Sequence, residues 1–353
     1  MPSNLSQQQP HLPYAAAAAT HPIVRFVAGF SRLLLHQWCA SVQVRGLDRF
    51  LGLLRDVERQ KKGQGILTYA NHISVMDDPT IFGSLPKEAA KYKVNTRWTL
   101  GASDILFTNP LFSSLFKSGQ VLPTDRGRGV YQPSIDDSID LLENGQWVHM
   151  FPEGYVNLSR KALLRRFKWG IGRILLEAGR KSATKPIIVP MWISGLDAVM
   201  PEPRRYPRWF PRPGAKVVIT FGDAINETME PILNRLSDFA TEQGEGDVMK
   251  AAEASLKGLD VLYPHYPSPP ANSFPPITPL VEPPGGVPWP IPLPESRSSR
   301  SIEKHGDSSR AKIARSLVAA ELRAHLLYLG ERQGGNMTLA HQLMAEKLVE
   351  EEK

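Results

Sequence analysis

The stretch Asn71-His72-Ile73-Ser74-Val75-Met76-Asp77-Asp78-Pro79 places a histidine five residues before an aspartate, directly after the apolar run Gly65-Ile66-Leu67-Thr68-Tyr69. An imidazole that takes a proton from an alcohol near neutral pH needs one free ring nitrogen. A carboxylate on the other nitrogen fixes the tautomer and stabilises the imidazolium. Five residues along one regular helix would put the two side chains on different faces. The pair therefore requires His72 in a strand-to-helix turn and Asp77 in the first helical turn, and Pro79 favours such a turn. The same residue types are also ordinary loop and N-cap residues, so the stretch gains weight from what accompanies it.

Three further patches lie at the ends of predicted strands. After Gln120-Val121-Leu122-Pro123 comes Arg126-Gly127-Arg128-Gly129, where Arg126 offers a guanidinium, and the loop its backbone donors, to a phosphate. After Trp147-Val148-His149-Met150 comes Phe151-Pro152-Glu153-Gly154, in which Glu153 could accept from a substrate hydroxyl or orient the arginine, and Gly154 permits the turn. The strand Ile188-Val189-Pro190 is expected to shape a pocket wall without taking part in chemistry. In an open parallel sheet the carboxyl ends of different strands converge on one crevice, so the distances between these patches along the chain do not keep them apart in space.

The elements needed to position them are visible as alternation. Helix-like spacing from 46 to 60 breaks at Lys61-Lys62-Gly63-Gln64-Gly65, and strands are predicted from Ile66, at 120–123, 147–151, 187–192 and 216–221. Helices are predicted from Asn109-Pro110, over 134–142 up to Asn144-Gly145, and as a basic helix over about 160–181. Such repetition implies an α/β fold with a mainly parallel central sheet covered by helices. Residues 1–22 read as a disordered tail, 23–45 as an apolar, membrane-associating segment carrying Arg25, Arg32 and His36, and 46–262 as the catalytic domain. Residues 263–309 read as a proline-rich flexible insertion and 310–353 as C-terminal helices, with Val318, Leu322, Leu326 and Leu329 on one face.

The chain has 353 residues, 31 of them proline, a net charge of +7 and a pI near 9.4. The positive balance favours an anionic partner, nucleic acid or an anionic membrane surface. No nucleic-acid motif accompanies the charge, which turns the reading toward the membrane. A second surface candidate is the stretch near 192–210, where Arg204 and Arg205 interleave with Trp209 and Phe210. The lone Cys39 excludes an intrachain disulfide and a multi-cysteine metal site.

In their order and residues, Asn71-His72 to Asp77, the Arg126 turn, Phe151 to Gly154 and Ile188 to Pro190 resemble the four motifs of the glycerolipid acyltransferases. Together with Arg166-Phe167-Lys168-Trp169-Gly170 they resemble the branch of phospholipid–lysophospholipid transacylases that remodel cardiolipin. The resemblance covers residues 23 to 225. It implies the glycerolipid acyltransferase fold and a His72-Asp77 dyad that deprotonates a lysophospholipid hydroxyl. It further implies that Arg126, Glu153 and Gly154 bind the phosphate or glycerol moiety, and that neither cofactor nor metal is needed. The oxyanion donors would be backbone amides near the helix start after His72. The implied partners are phospholipid and lysophospholipid substrates on a cardiolipin-rich anionic surface. The implied location is the mitochondrial inner and outer membranes, facing the intermembrane space. Tyr155 stands where animal relatives usually carry lysine, so no phosphate-binding role goes to it. An acyl-CoA-dependent acyltransferase is the alternative enzyme, and a non-catalytic lipid-binding protein the alternative class; oligomeric state is not encoded in any pattern found.

Overall fold

A computed structural model describes residues 19–92, 95–158, 164–180, 184–202, 206–207, 210–242, 247–266 and 308–333. The proline-rich stretch over 267–307, the last part of the predicted C-terminal helices, over 334–353, and Arg204, Arg205 and Trp209 lie outside the described residues.

Seven strands, β1 (Ser41–Arg45), β2 (Ile66–Ala70), β3 (Trp98–Ala102), β4 (Val121–Thr124), β5 (Trp147–Met150), β6 (Ile187–Ser194) and β7 (Lys216–Phe221), form one sheet in the order β1-β7-β6-β2-β5-β3-β4. Every pairing is parallel except β6 with β7. β2 is the central strand and is buried along its whole length, as a parallel strand covered on both faces must be. Alternate residues feed two cores: Leu67, Tyr69, Val148 and Ile188 on one face, Ile66, Ala70, Trp147 and Val189 on the other. Ile188 and Val189 thus belong to opposite cores at the centre of the sheet, and the expected pocket wall is instead a pair of packing residues.

The helices are α1 (Pro22–Leu33), α2 (Leu47–Arg55), α3 (Val57–Lys61), α4 (Asp77–Ser84), α5 (Ser103–Leu106), α6 (Pro110–Ser118), α7 (Pro133–Glu143), α8 (Gly170–Glu177), α9 (Leu196–Val199), α10 (Asn226–Thr241), α11 (Val248–Ser255) and α12 (Ser309–Arg332). α1, α2, α4 and α9 supply one core, and α7, α8, α10, α11 and α12 the other. No described helix is long and apolar enough to cross a membrane.

Three expectations change. The apolar segment over 23–45 is not one element: α1 ends at Leu33, a π-turn runs to Trp38, and Ser41–Arg45 pairs with β7 as an edge strand. The period-two alternation of Val42 and Val44 with Gln43 overrides the apolar average. Among the described residues, the predicted basic helix is helical over Gly170–Glu177. Upstream of it, Arg165 N–H donates to Glu153 Oε2 at 3.0 Å and Lys168 N–H to Pro152 O at 2.8 Å, so those amides serve the neighbouring loop and not a helix. Finally, α12 buries more than the one apolar face expected of it. It is buried on nearly every side, packs on α8, α10 and β6, and contributes Leu317, Val318, Leu322 and Leu326 to the core.

The α8–α12 contact is backbone on backbone. A Cβ on Gly172 would stand 2.3 Å from Arg315 O. Alanine is the better helix former by about 1 kcal/mol, yet Gly172→Ala is expected to destabilise the protein by about 2 kcal/mol through overpacking. Urea unfolding checks the sign: the midpoint should fall with an unchanged slope, and a rise would mean that the two helices do not meet here.

Candidate active site

The chain leaves β2 at Asn71, whose side chain continues the sheet. Asn71 Nδ2 donates to Ile193 O and Ile193 N–H donates to Asn71 Oδ1, both at 2.8 Å. This pair fastens the end of the central strand to β6 and delivers the next residue, His72, at the carboxyl edge. Sequence reading passed over Asn71, because an asparagine before a turn is commonplace.

His72 Nδ1 lies 2.9 Å from Asp77 Oδ2, and the same oxygen accepts from Ile73 N–H at 2.6 Å and Ser74 N–H at 2.9 Å. Asp77 is buried and opens α4. Burial pushes its carboxyl up from the ordinary value, opposed by the hydrogen bond from His72, the attraction to its ring, and the Ser74 and Ile73 amides. An acceptor at Nδ1 selects the tautomer with hydrogen on Nδ1 and leaves Nε2 with a free lone pair. The side chain of His72 is 20% exposed while that of Asp77 is fully enclosed, so one ring edge reaches solvent. The ring stacks on Phe151, centroids 4.2 Å apart, which fixes its plane.

Glu153 sits elsewhere than predicted. The register that pairs Tyr69 with Met150 sets Glu153 level with His72, and Glu153 Oε1 accepts from His72 N–H at 2.9 Å. Its Oε2 accepts from Asn157 Nδ2 and Arg165 N–H, each at 3.0 Å. The carboxylate is buried, with both oxygens occupied by the protein's own donors, and its bonds do not reach Arg126. The structure therefore places it beneath the His72 loop as a support, not at a substrate-facing surface. Gly154, at φ 74°, makes the turn that follows.

Arg126, on the loop after β4, forms a two-pronged pair with Asp104 of α5 and lies over the Tyr155 ring, 4.8 Å from its centroid. Lys168 approaches the same ring at 5.5 Å. Tyr155, two residues past Glu153, thus carries two cations, a platform that no local pattern announced. Arg128 is exposed and pairs with Asp125 at 2.9 Å. Of the membrane candidates, Phe210 is described: it meets Trp38 edge-on at 5.3 Å, beside the end of α1.

Most amides of the turn after His72 are already engaged. Ile73 and Ser74 amides serve Asp77, Met76 N–H donates to Ser74 Oγ at 3.3 Å, and Asp77 N–H to Ser74 O at 3.2 Å. Val75, whose side chain is exposed, has the one amide between 73 and 77 without a partner among the described residues. Behind the dyad His149 is fully buried, its Nδ1 2.7 Å from Thr68 Oγ1, and burial lowers its pKa to about 3, which keeps it neutral. It packs edge-on against Phe151 at 4.7 Å and so supports the ring on which His72 stacks.

Residues 53–194 match the sequence family described as Acyltransferase, a span that runs from α2 to the end of β6 and holds every residue of this site. That stretch is thus similar to an acyltransferase domain, and it lies on the mainly parallel sheet described above. Among curated proteins the chain is similar to tafazzins. It is 38% identical over 185 residues to a taffazin of Dictyostelium discoideum, covering 52% of this chain and 62% of that protein. It is 38% identical over 184 residues to the tafazzin of Drosophila melanogaster, covering 52% and 46%. An N-acylphosphatidylethanolamine synthase of Arabidopsis thaliana is 32% identical over 180 residues, covering 51% and 60%. The matched stretch spans about half to three fifths of the length of these curated relatives.

Burial pushes the Glu153 carboxyl up to about 7 from an ordinary 4.5, opposed by the Arg165 and His72 amides, the His72 ring and the Asn157 amide. The folded protein then holds a proton that the unfolded chain releases. This contribution to stability is complete below about pH 4.5 and is lost as pH rises through about 7. Glu153→Gln, which cannot titrate, should flatten the stability–pH curve across that window relative to wild type, measured by urea unfolding at a series of pH values. Parallel curves would show that Glu153 titrates as an ordinary carboxylate.

Proposed function

We propose that the chain is a CoA-independent phospholipid–lysophospholipid transacylase that moves an acyl chain from a phospholipid to a lysophospholipid such as monolysocardiolipin. The observation that carries the reading is the His72-Asp77 pair at the carboxyl end of the central strand, with Nε2 free and the cation-bearing Tyr155 on the adjoining loop. The similarity to tafazzins supports the substrate class.

In this reading His72 Nε2 takes the proton from the free hydroxyl of the lysophospholipid as that oxygen attacks the donor's ester carbonyl. Asp77 stabilises the resulting imidazolium. The tetrahedral oxyanion is held by backbone donors, for which the Val75 amide is our candidate. Collapse breaks the bond to the donor's glycerol oxygen, which recovers the proton from His72, so each transfer returns the dyad to its starting state. Arg126, paired with Asp104, and Lys168 hold the phosphate, while Glu153 and Asn71 are positioning residues that fix the His72 backbone.

Both substrates reside in a bilayer. α1 supplies a fitting surface: Phe26, Phe30 and Leu33 point outward along one stripe, with Arg25, Arg32 and His36 beside it. We place the protein as a monotopic enzyme on cardiolipin-rich mitochondrial membranes facing the intermembrane space, following the tafazzin resemblance. The plant relative's name favours a second reading, in which the acceptor is the amine of phosphatidylethanolamine and the same base serves.

The test mixes protein and liposomes containing cardiolipin and phosphatidylethanolamine with a labelled-acyl phosphatidylcholine and monolysocardiolipin, without CoA. Label should enter cardiolipin with wild type and fall at least about a hundredfold with His72→Ala. Label in phosphatidylethanolamine instead would favour the amine acceptor. Transfer only from an added acyl-CoA would establish the thioester-dependent enzyme, and His72-independent lipid binding without transfer would sink the catalytic reading.

A further inference from the structure

α6 has a composition that its position in the fold does not use. It carries Leu111, Phe112, Leu115 and Phe116 in nine residues, and none of its residues is buried. Leu111 is 76% exposed, and Phe112 and Leu115 are exposed as well. The helix is nevertheless locally well formed: Asn109 Oδ1 caps Phe112 N–H at 2.9 Å, and Pro110 occupies the first turn. Phe107 lies 6.1 Å from Phe116 at its base, and Ile105 of α5 extends the apolar surface. α6 touches α1, whose outward residue Phe26 is 74% exposed. The two helices therefore present one continuous apolar face larger than scattered surface residues require.

Its rim is cationic. Arg25, Arg32, Lys87 and Lys91 line a groove along α1, and Lys117 closes α6. Neither α1 nor α6 contains an acidic residue. A second copy on this face would bring two such rims together, whereas anionic headgroups neutralise them.

We propose that α6 inserts into the bilayer surface together with α1, its Leu111 and Phe112 entering the acyl region while the basic rim holds the headgroups. This rests on the lipid-substrate reading and extends it to an element that the sequence marked only as a helix start. On the same side of the molecule, α5 joins α6 to the Asp104–Arg126 pair, so insertion would set the site against the membrane from which its substrates come.

The test uses the full chain with Cys39→Ser and Leu111→Cys, labelled with bimane. Phosphatidylcholine–phosphatidylglycerol vesicles, with or without acyl-chain-brominated lipid, are then added. We expect water-like emission in solution, a blue shift on vesicles and bromine quenching, with no quenching of the same label at Asn234→Cys on α10. Vesicle binding without quenching at 111 would overturn the proposal. So would a blue shift already present without lipid, which would mean that the chain itself covers the face, or one appearing only at high protein concentration, which would mean a second copy. Leu111→Asp with Phe112→Asp should weaken vesicle binding at least about tenfold while preserving transfer between substrates in detergent micelles. Equal loss in micelles would assign α6 to the fold and overturn the insertion. Quenching that persists in His72→Ala, or in a wild type that transfers no acyl chain, supports insertion and places the failure in the catalytic reading alone.

Discussion

The loop leaving β2 is wrapped around the buried carboxylate of Asp77, and the arrangement at the carboxyl edge follows from that enclosure. A carboxylate removed from water is costly unless its oxygens are engaged. Oδ2 is met by His72 Nδ1, Ile73 N–H and Ser74 N–H. Engaging Oδ2 therefore shapes the loop and aims the histidine, while Oδ1 stays buried without a partner among the described residues. Two of these bonds occupy the amides that open the turn, and within residues 73 to 77 the Val75 amide is left without a partner among the described residues.

A second buried carboxylate holds the loop from the opposite side. Glu153 accepts from the His72 backbone on one oxygen and from Asn157 and Arg165 on the other. His72 is thus fixed at its ring by one acid and at its amide by another, with Phe151 against the ring face. Beneath Glu153 lies Arg323 of α12, which donates to Leu164 O at 3.1 Å and Tyr266 O at 2.9 Å. Burial lowers its pKa to about 10, and attraction to Glu153 opposes that shift. The C-terminal helix consequently belongs to the support of the site, although it follows the β7 strand by more than eighty residues.

The two faces of the sheet are closed by different means. One is sealed by α12, buried nearly all round and pinned by Tyr69 OH donating to Leu322 O at 3.0 Å. The other is sealed by helices that keep an apolar side outward: α1 buries Val24 and Ala28 yet exposes Phe26, Phe30 and Leu33. The exposed apolar residues of the second face gather in a stripe along α1.

What the sequence alone determined was local: β2, the turn, the helix start at Asp77 and the meeting of His72 with that acid all lie within a dozen residues and depend on short-range geometry. The alternation of strands and helices likewise implied the parallel sheet, because each segment's apolar pattern is set by its own neighbours. Glu153 was legible as a carboxylate at a strand end but not as a support, since its bond to His72 depends on the register of β2 with β5, across 81 residues. Tyr155 beneath Arg126 and Lys168, Asn71 against Ile193 and Arg323 beneath Glu153 escaped for the same reason. The average over 23–45 concealed β1, whose identity depends on its partner β7. Tertiary structure decided these because burial and strand register join residues far apart in the chain, and no local pattern records which distant donor will meet which buried acceptor.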